Sequence, residues 1–420
     1  MAAGAESIQQ MLVHGPCSDI YYSSPENTKK QCVKTVQTTK YQQSLTQLNG
    51  GTSVFLIPAA YGIQDIAVTL LLPPVAAGAG AGVALPRGWG YALIRNVSYR
   101  IGGSTQFFIS GQQLLQHALK RCANATQRDD LFALGGEQLI GAQLEGASNY
   151  AYLFMDLPFT KPTSDGKPVP VSSDLLSSQV QITIELNTIA SICSLNGGAV
   201  VPAAFGNGLA SGTFAVNQVL MQSRDDSLAS RVNMADHQYV QPVEFLQQEQ
   251  LVTCANTAGV QTIVATGFRS GSVKSIEMWL TKGSDVSATN KNPLKWYAPL
   301  NVTVSYAGDI YARFEAGSSQ LWNLINSKLA SKVAGLTLSY PAGAYVSTAE
   351  NYSWVTAPFA QTYETGTTGE YMLTEGINVT NSTINVSFQT PTAAADWTLH
   401  LSYVYAASIV YSQSTAEFVF

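Results

Sequence analysis

Short stretches of alternating apolar and polar residues run through this chain, separated by glycine, proline or asparagine. The clearest stretch is 91–115, in which an apolar run turns at Gly102 and Gly103, resumes, and breaks again at Gly111. This pattern predicts a strand, a tight turn, a second strand and the start of a helix. Apolar residues at helical spacing extend the predicted helix over 112–122.

The same pattern recurs in the second half of the chain, at 300–324. The offset is 304 − 97 = 207 residues in a chain of 420, and it matches Val97 with Val304, Phe107 with Phe314, Gln113 with Gln320 and Leu114 with Leu321. Strand-like stretches at 54–57 and 66–72 correspond to 262–265 and 273–280, and alternating strands at 179–186 and 398–405 close the two halves. An internal repeat of this length predicts two similar domains in tandem, with chance similarity among β-rich segments as the alternative.

Chain length agrees with two domains, because 420 residues exceed one ordinary core. We predict an N-terminal arm at 1–50, a first domain at 51–228 and a second domain at 229–420. The junction between the domains is placed in a Gly/Pro/Ala-rich segment, 196–212, and the charged segment that follows it, 218–237. Lysines in the arm either reach an acidic neighbour or a membrane surface, or belong to a solvated segment.

Many short strands, long inserted loops and one clear helix per half predict an all-β protein. The best fit is two tandem eight-stranded jelly rolls with short helices and long inserted loops. Only 12% of the residues are charged while 46% are hydrophobic. Sheets with so few charged residues expose edges and faces that assembly with other chains would cover.

Composition and motifs give little support to other classes of function. The net charge of −5 offers no electrostatic case for binding nucleic acid. No apolar run reaches the length of a transmembrane helix, and the first residues lack the basic start of a secretory signal.

Residue types that carry catalysis are scattered along the chain. Five cysteines form no CxxC pair, which favours free thiols in a reducing compartment over a disulfide framework. Four histidines form no HxH or HExxH pattern, no GxSxG occurs, and the glycines at 78–82 lack the lysine of a phosphate loop. We therefore predict no catalytic, cofactor-binding or metal-binding residues, and no enzyme.

Several motifs in order carry a resemblance to a known family. They are IPAAYGIQDIAVTLLLP from Ile57, Trp89, LIRNVSYRIGGSTQFFISGQQLL from Leu93, DLPF from Asp156 and SSDLLSSQVQITIEL from Ser172. Together with the duplication, this order resembles the double jelly-roll major capsid proteins of nucleocytoplasmic large DNA viruses and their relatives. Segment 216–248 is similar to the inter-domain bridge of that family. The acidic residue that often follows IGG there is missing here, where Ser104, Thr105 and Gln106 stand instead.

The resemblance implies a major capsid protein without a cofactor. Its homotrimer would bring six jelly rolls into a pseudo-hexagonal block that tiles an icosahedral shell, assembled inside the host cell. The implied partners are other copies of the chain, neighbouring capsomers, minor capsid and penton proteins and, in such viruses, often an internal membrane, with no direct contact to nucleic acid. A carbohydrate-binding or surface-layer protein built from paired sandwiches is the alternative, and the Tyr-rich segment 345–371 suits it.

Glycosylation sequons supply the remaining candidate sites. Seven NxS/T sequons occur, at Asn96, Asn124, Asn301, Asn351, Asn378, Asn381 and Asn385. Several arise by chance in an Asn- and Thr-rich chain, and a chain without a secretory signal does not meet the usual machinery. The candidates are the clustered Asn378, Asn381 and Asn385. We predict that 341–376 lies on the outer surface of the shell, with Asn378 and Asn381 near its base and any sugar added by virus-encoded enzymes.

Overall fold

The computed structural model describes residues 35–39, 50–57, 62–100, 106–122, 125–155, 180–206, 214–223, 239–246, 250–257, 259–266, 272–287, 290–314, 337–338, 350–351, 354–359, 377–379, 383–393, 396–412 and 415–419. The strands of the first half are β1 Thr35–Thr39, β2 Thr52–Ile57, β3 Gly62–Leu72, β4 Val83–Leu85, β5 Ile94–Arg100, β6 Gln106–Ile109, β7 Leu139–Ile140, β8 Asn149–Met155, β9 Val180–Leu186, β10 Ser194–Leu195 and β11 Phe214–Ser223. The strands of the second half are β12 Tyr239–Leu246, β13 Gln250–Thr253, β14 Gln261–Ala265, β15 Ser272–Lys282, β16 Val286–Ser287, β17 Asn290–Lys291, β18 Leu300–Tyr306, β19 Asp309–Phe314, β20 Thr337–Leu338, β21 Glu350–Asn351, β22 Val355–Pro358, β23 Ile377–Asn378, β24 Ile384–Gln389, β25 Trp397–Ser412 and β26 Thr415–Val419. The α-helices are α1 Trp89–Leu93, α2 Gly111–Arg121, α3 Ala125–Gly136 and α4 Ala203–Gly206.

The first half forms a sandwich of two antiparallel sheets, which we call the first unit. Its first sheet has the strand order β1-β11-β3-β8, and its second sheet has the order β2-β9-β5-β6. Successive long strands cross between the two sheets, so neighbours in a sheet are distant in sequence, apart from the pair β5 and β6. This connectivity is that of a jelly roll.

The second half repeats this arrangement strand for strand and forms the second unit. Its first sheet is β12-β25-β15-β22, with β13 and β26 also pairing with β25 and β23 with β15. Its second sheet is β14-β24-β18-β19. The prediction of an all-β chain with two tandem jelly rolls is thus confirmed.

The predicted repeat matches the right strands but not every residue. Val97 in β5 and Val304 in β18 are both fully buried, and they pair with Ile184 and Val386 on equivalent strands. Beyond the turn the offset shrinks, because Val97 pairs with Ile109 and Val304 with Ala312, and 312 − 109 = 203. The predicted match of Phe107 with Phe314 is therefore wrong: two residues separate β18 from β19, whereas five separate β5 from β6.

The strands predicted to close the two halves are not equivalent either. Segment 179–186 corresponds to β9, whose counterpart is β24, since both are central in the second sheets. Segment 398–405 lies in β25, whose counterpart is β11 in the first sheet. The sequence of β11, FAVNQVLMQS, lacks clean alternation and overlaps the segment predicted as the domain junction.

The predicted arm contains a strand of the first unit. β1 pairs in register with β11, from Thr35 opposite Ser223 to Thr39 opposite Val219. Its sequence, TVQTT, is too short and polar to stand out as a strand. The predicted boundary at 228/229 falls between β11 and β12, outside the described residues, and the domain limits remain predictions.

Two helices follow β6, of which the sequence predicted one. Predicted helix 112–122 is confirmed as α2. The second helix, α3, covers Ala125–Gly136, a polar stretch ending in two glycines that shows no helical spacing of apolar residues. Its two final glycines permit close packing: a Cβ on Gly135 would lie 2.7 Å from the ring of Tyr91, and one on Gly136 would lie 2.4 Å from the indole of Trp89. These two glycines, which in the sequence resemble a helix break, therefore form the end of a packed helix.

Candidate functional site

Both faces of β15, in the second unit's first sheet, are buried. Along β15, Ile276, Met278 and Leu280 alternate with Ser275, Glu277 and Trp279, so the two sets point to opposite faces of the sheet. All six are fully buried. The first set faces the interior of the sandwich, whereas the second set faces the first unit. We call the contact between the two units the junction. It joins α2 of the first unit to the outer face of this sheet, and segment 290–298 of the second unit contributes to it. This contact is distinct from the domain junction predicted in the sequence.

Helix α2 supplies hydrogen bonds across the junction. Gln112 Oε1 accepts a hydrogen bond from Trp279 Nε1 at 3.1 Å, and Gln112 Nε2 donates to the carbonyl of Pro293 at 3.2 Å. Gln113 Nε2 donates to Ser402 Oγ at 2.8 Å, between two fully buried side chains. Both glutamines therefore reach from the first unit to the second.

A capping box at the start of α2 holds Gln113 in place. Ser110 Oγ accepts a hydrogen bond from the backbone N–H of Gln113 at 3.2 Å, and Gln113 Oε1 accepts one from the N–H of Ser110 at 2.9 Å. The side-chain oxygen of Gln113 thus caps the helix, while its side-chain nitrogen binds Ser402 of the second unit. The signal was present in the sequence as Ser-x-x-Gln before an apolar run.

Polar side chains form a buried layer at the junction. Ser402, Glu277 and Thr356 lie in one cross-strand row of the second unit. Gln113 of α2 meets this row at Ser402, and Gln116 and His117, on the same face of α2, are also buried. Within the described residues, the amide of Gln116 and the hydroxyl of Ser275 find no hydrogen-bond partner in the protein. The junction is therefore more polar than either sandwich interior.

Aromatic rings form the other part of the junction. The ring of Trp279 stacks on His400 at 5.3 Å between centroids, and lies 5.8 Å from Trp296. Trp296 in turn meets Trp354 edge-on at 6.4 Å. Sequence analysis missed this cluster, although a tryptophan among the outward residues of β15 indicates a strand covered on both faces.

Segment 290–298 anchors the second unit to the first. The backbone N–H of Lys291 donates to Ser194 Oγ at 2.8 Å, and its Nζ donates to the carbonyl of Ala190. Leu294 is fully buried, and its methyl group lies 3.2 Å from the position of a Cβ on Gly88, which has a φ of +76°. Any side chain at Gly88 would therefore be strained and would press on Leu294.

An ion pair holds the base of this segment. Asp285 accepts hydrogen bonds from Lys295 Nζ at 3.0 Å and from the hydroxyl of Tyr297 at 2.9 Å. Burial opposes the charge on Lys295, but its contacts with Tyr297 and Asp285 outweigh burial and raise the pKa of Lys295. Burial raises the pKa of Tyr297, so this phenol stays protonated and continues to donate.

The described cysteines are free and poorly reactive. Cys122, Cys193 and Cys254 are all buried and unpaired with one another, as the scattered spacing predicted for them. Burial raises the pKa of each thiol, in Cys193 to about 12. Because the thiolate is the nucleophile, these groups stay inert at neutral pH. Cys17 and Cys32 lie outside the described residues.

Possible metal ligands are scattered across the described ranges. There, no group of three or more His, Cys, Asp or Glu side chains could hold a metal ion. His117 is buried in α2 and His400 stacks on Trp279 at the junction, whereas His14 and His237 fall outside the described ranges. None of the described helices has the length and apolar character needed to cross a membrane.

The predicted glycosylation sites lie in different surroundings. Asn378 belongs to β23, opposite Ser272, and Asn381 lies outside the described residues. Asn385 is half-buried in the central strand β24, between Val264 and Ser305 on the neighbouring strands. Their modification remains a prediction. Of the predicted outer segment 341–376, residues 354–357 are instead buried in or beside β22, because that strand pairs with β15.

The outer face of β8 in the first unit is exposed, whereas the outer face of its counterpart in the second unit, β22, is buried. Tyr150 and Tyr152 on β8 are 51% and 46% exposed, with their rings stacked at 6.3 Å between centroids. On β22 and the residue before it, Trp354 and Thr356 are buried at the junction. β8 and β22 occupy the same edge of equivalent sheets. The covered face and the open face are thus counterparts.

Comparison with known proteins gives matches in structure alone. No protein-family profile and no curated protein sequence matches the chain. A solved structure of the PBCV-1 virus capsid matches with a TM-score of 0.64 at 12% identity, covering 92% of this chain and 96% of that chain. The Faustovirus major capsid protein matches with a TM-score of 0.58 at 11% identity, covering 100% and 98%.

The mavirus major capsid protein matches with a TM-score of 0.51 at 11% identity, covering 95% of this chain and 93% of that chain. At these identities the likeness establishes the fold, over nearly the whole length of each chain. It confirms the predicted resemblance to viral major capsid proteins at the level of the fold.

Proposed function

We propose that this chain is the major capsid protein of an icosahedral virus, located in the virion shell and built to associate with copies of itself. The observation that carries the proposal is the junction inside the chain. There, one jelly roll docks onto the outer sheet face of the other, and the equivalent face of the first unit stays open at β8. The shared fold of viral major capsid proteins supports the same conclusion.

The junction joins two different surfaces, so it can be repeated between chains. Helix α2 of the first unit meets the outer face of the second unit's first sheet. The first unit has its own copy of that sheet, in which Tyr150 and Tyr152 are exposed. A contact between unlike surfaces forms a ring when its rotation closes. Three chains, with two jelly rolls each, then give a homotrimer of six jelly rolls.

A structural role accounts for the polar chemistry of the described residues. Asp285, Lys295 and Tyr297 bind one another at the base of a loop, and the described thiols are buried. We accordingly propose a structural protein without catalytic activity or cofactor. Its further partners are neighbouring capsomers and the minor capsid and penton proteins. Contact of the N-terminal segment with an internal membrane also remains part of the proposal.

Mass measurement in solution tests the proposal. Size-exclusion chromatography with light scattering should give a trimer of about 134 kDa, from 3 × 44.8 kDa. Negative-stain images of concentrated protein should show hexagonal blocks and curved shells. A folded monomer at micromolar concentration that forms no particles contradicts the proposal. If that monomer also binds glycans, the exposed tyrosine pair favours the alternative of a carbohydrate-binding protein.

A further inference from the structure

The second sheet of each unit carries the same cross-strand row on its outer face. In the first unit the row consists of Val54, Thr183, Ser98 and Phe108, which are successive partners across β2, β9, β5 and β6. In the second unit it consists of Val264, Asn385, Ser305 and Ile310, across β14, β24, β18 and β19. We call these the first and second outer rows.

The outer rows are equivalent by strand and by register. Ser98 and Ser305 each follow the equivalent buried residue, Val97 or Val304. The other members hold the same place on matching strands, so each row has an apolar residue at both ends and two polar residues between them. This order is repeated although the surrounding sequence has diverged.

Three of the four apolar ends of the rows are exposed, whereas Phe108 is half-buried. Val54 is 39% exposed, Val264 is 47% exposed and Ile310 is 62% exposed. The residues that alternate with the rows, such as Ile184 and Val386, are buried inside the sandwiches. Packing within the chain therefore leaves Val54, Val264 and Ile310 largely uncovered.

A partner would meet the second outer row from the face, because the neighbouring edge is closed. Gln250 Nε2 donates to the carbonyl of Val264 at 3.4 Å, and Gln250 Oε1 accepts from the N–H of Thr266 at 2.8 Å. These backbone groups on the edge side of β14 are thus used within the chain. Strand addition, the usual hazard of an open sheet edge, is blocked there.

We propose that the outer rows are two copies of one docking surface, and that each packs against another copy of this chain in a neighbouring building block. This inference rests on the proposed capsid function and names the surface that would join its building blocks. Neither row contains a charged residue, so two copies can approach without the repulsion that like charges cause. A surface that occurs twice per chain suits a partner that occurs many times in one lattice.

The proposal has a consequence for the predicted glycosylation sites. Asn385 lies within the second outer row, and a sugar on it would hold the partner away from Val264 and Ile310. We therefore expect Asn385 to be unmodified in assembled shells. Asn378 and Asn381 lie outside the row and are not constrained. Peptide mass spectrometry of purified shells that finds a glycan on Asn385 overturns the proposal.

Lysine substitutions test the outer rows directly. Val54→Lys and Val264→Lys, alone and combined, place a charge on an exposed position without disturbing a core. The building block should keep its mass by light scattering and its melting temperature, while the double variant should fail to form shells in electron micrographs. Leu134→Lys and Val260→Lys are matched controls, since both residues are exposed and lie outside the rows. These control variants should assemble normally.

A charge-reversal experiment distinguishes a specific loss of docking from a general loss of protein stability. The double glutamate variant at the same positions should also fail alone, and mixing it with the double lysine variant should restore shells. Normal shells from the double lysine variant overturn the proposal, as does its dissociation into single chains, which would place the rows inside the building block. Absence of any oligomer or shell from the unaltered protein instead contradicts the proposed function.

Discussion

One glutamine side chain couples the start of a helix to the contact between the two units. Gln113 closes the capping box of α2 with its Oε1 and binds Ser402 with its Nε2. Gln116 lies one turn later on the same face, and its buried amide has no partner in the described part of the chain. Two glutamines on one helix face therefore affect stability in opposite directions.

Methionine substitutions reveal this difference. Gln116→Met keeps a similar shape and removes a buried, unsatisfied amide, so the free energy of unfolding should rise by about 1–3 kcal/mol. Gln113→Met removes a capping bond and leaves Ser402 unpaired, so the free energy should fall by a similar amount. Chemical denaturation followed by tryptophan fluorescence measures both changes. An unchanged or lower stability of Gln116→Met contradicts the expectation and indicates that an internal water satisfies the amide.

At the scale of elements, the hairpin of β18 and β19 stores local strain. Its two connecting residues, Ala307 and Gly308, have φ angles of +53° and +93°. Two-residue hairpins of this kind favour asparagine followed by glycine, because both positions need a left-handed backbone. Alanine at the first position therefore weakens a turn whose short length set the register of β19.

Replacement of Ala307 should relieve this strain. Ala307→Asn should raise the free energy of unfolding by up to about 1 kcal/mol, since asparagine tolerates the left-handed conformation better than alanine. Gly308→Ala is the opposing control and should lower it. Thermal unfolding of both variants beside the unaltered protein measures the changes. Equal melting temperatures for Ala307→Asn and the unaltered protein would show that the turn carries no such strain.

Sequence patterns predicted elements that have one buried face and missed those shaped by other parts of the chain. Alternation revealed β5 and β18, and helical spacing revealed α2. Helix α3 was missed because its two glycines resemble a helix break. The need for glycine comes from the aromatic rings packed against them, which local sequence does not reveal. The junction was missed because no spacing rule links Gln112 to Trp279, which are 167 residues apart. Contacts between units depend on three-dimensional docking rather than on local periodicity.

At the scale of the whole molecule, the two units are joined by one internal copy of a contact that could extend to further chains. The outer face of β15 and β22 in the second unit is covered, whereas Tyr150 and Tyr152 on the equivalent edge of the first unit are exposed. Exposed aromatic residues of this size are enriched where protein surfaces meet. Assembly through β8 would complete the pattern that the junction begins.

Lysine at these tyrosines should prevent the first step of assembly. Tyr150→Lys combined with Tyr152→Lys should convert the trimer into a folded monomer, because charges in a buried contact are costly. Light scattering gives the mass, and circular dichroism confirms that the chain is folded. Val260→Lys adds a charge at an exposed position of the second unit, outside β8, and should remain trimeric. A trimer of unchanged stability from the double tyrosine variant would show that β8 lies outside the contact.

The late position of β25 in the chain determines when a newly synthesised molecule can form the junction. This strand, Trp397–Ser412, is the shared neighbour of β12, β13, β15 and β26, and it supplies Ser402 to the junction. A ribosome makes β12, β13 and β15 before that neighbour exists. Products of premature termination therefore lack the central strand of the second unit and the face on which the first unit docks. A chain that stops before β25 can therefore take no part in any assembly built on this contact.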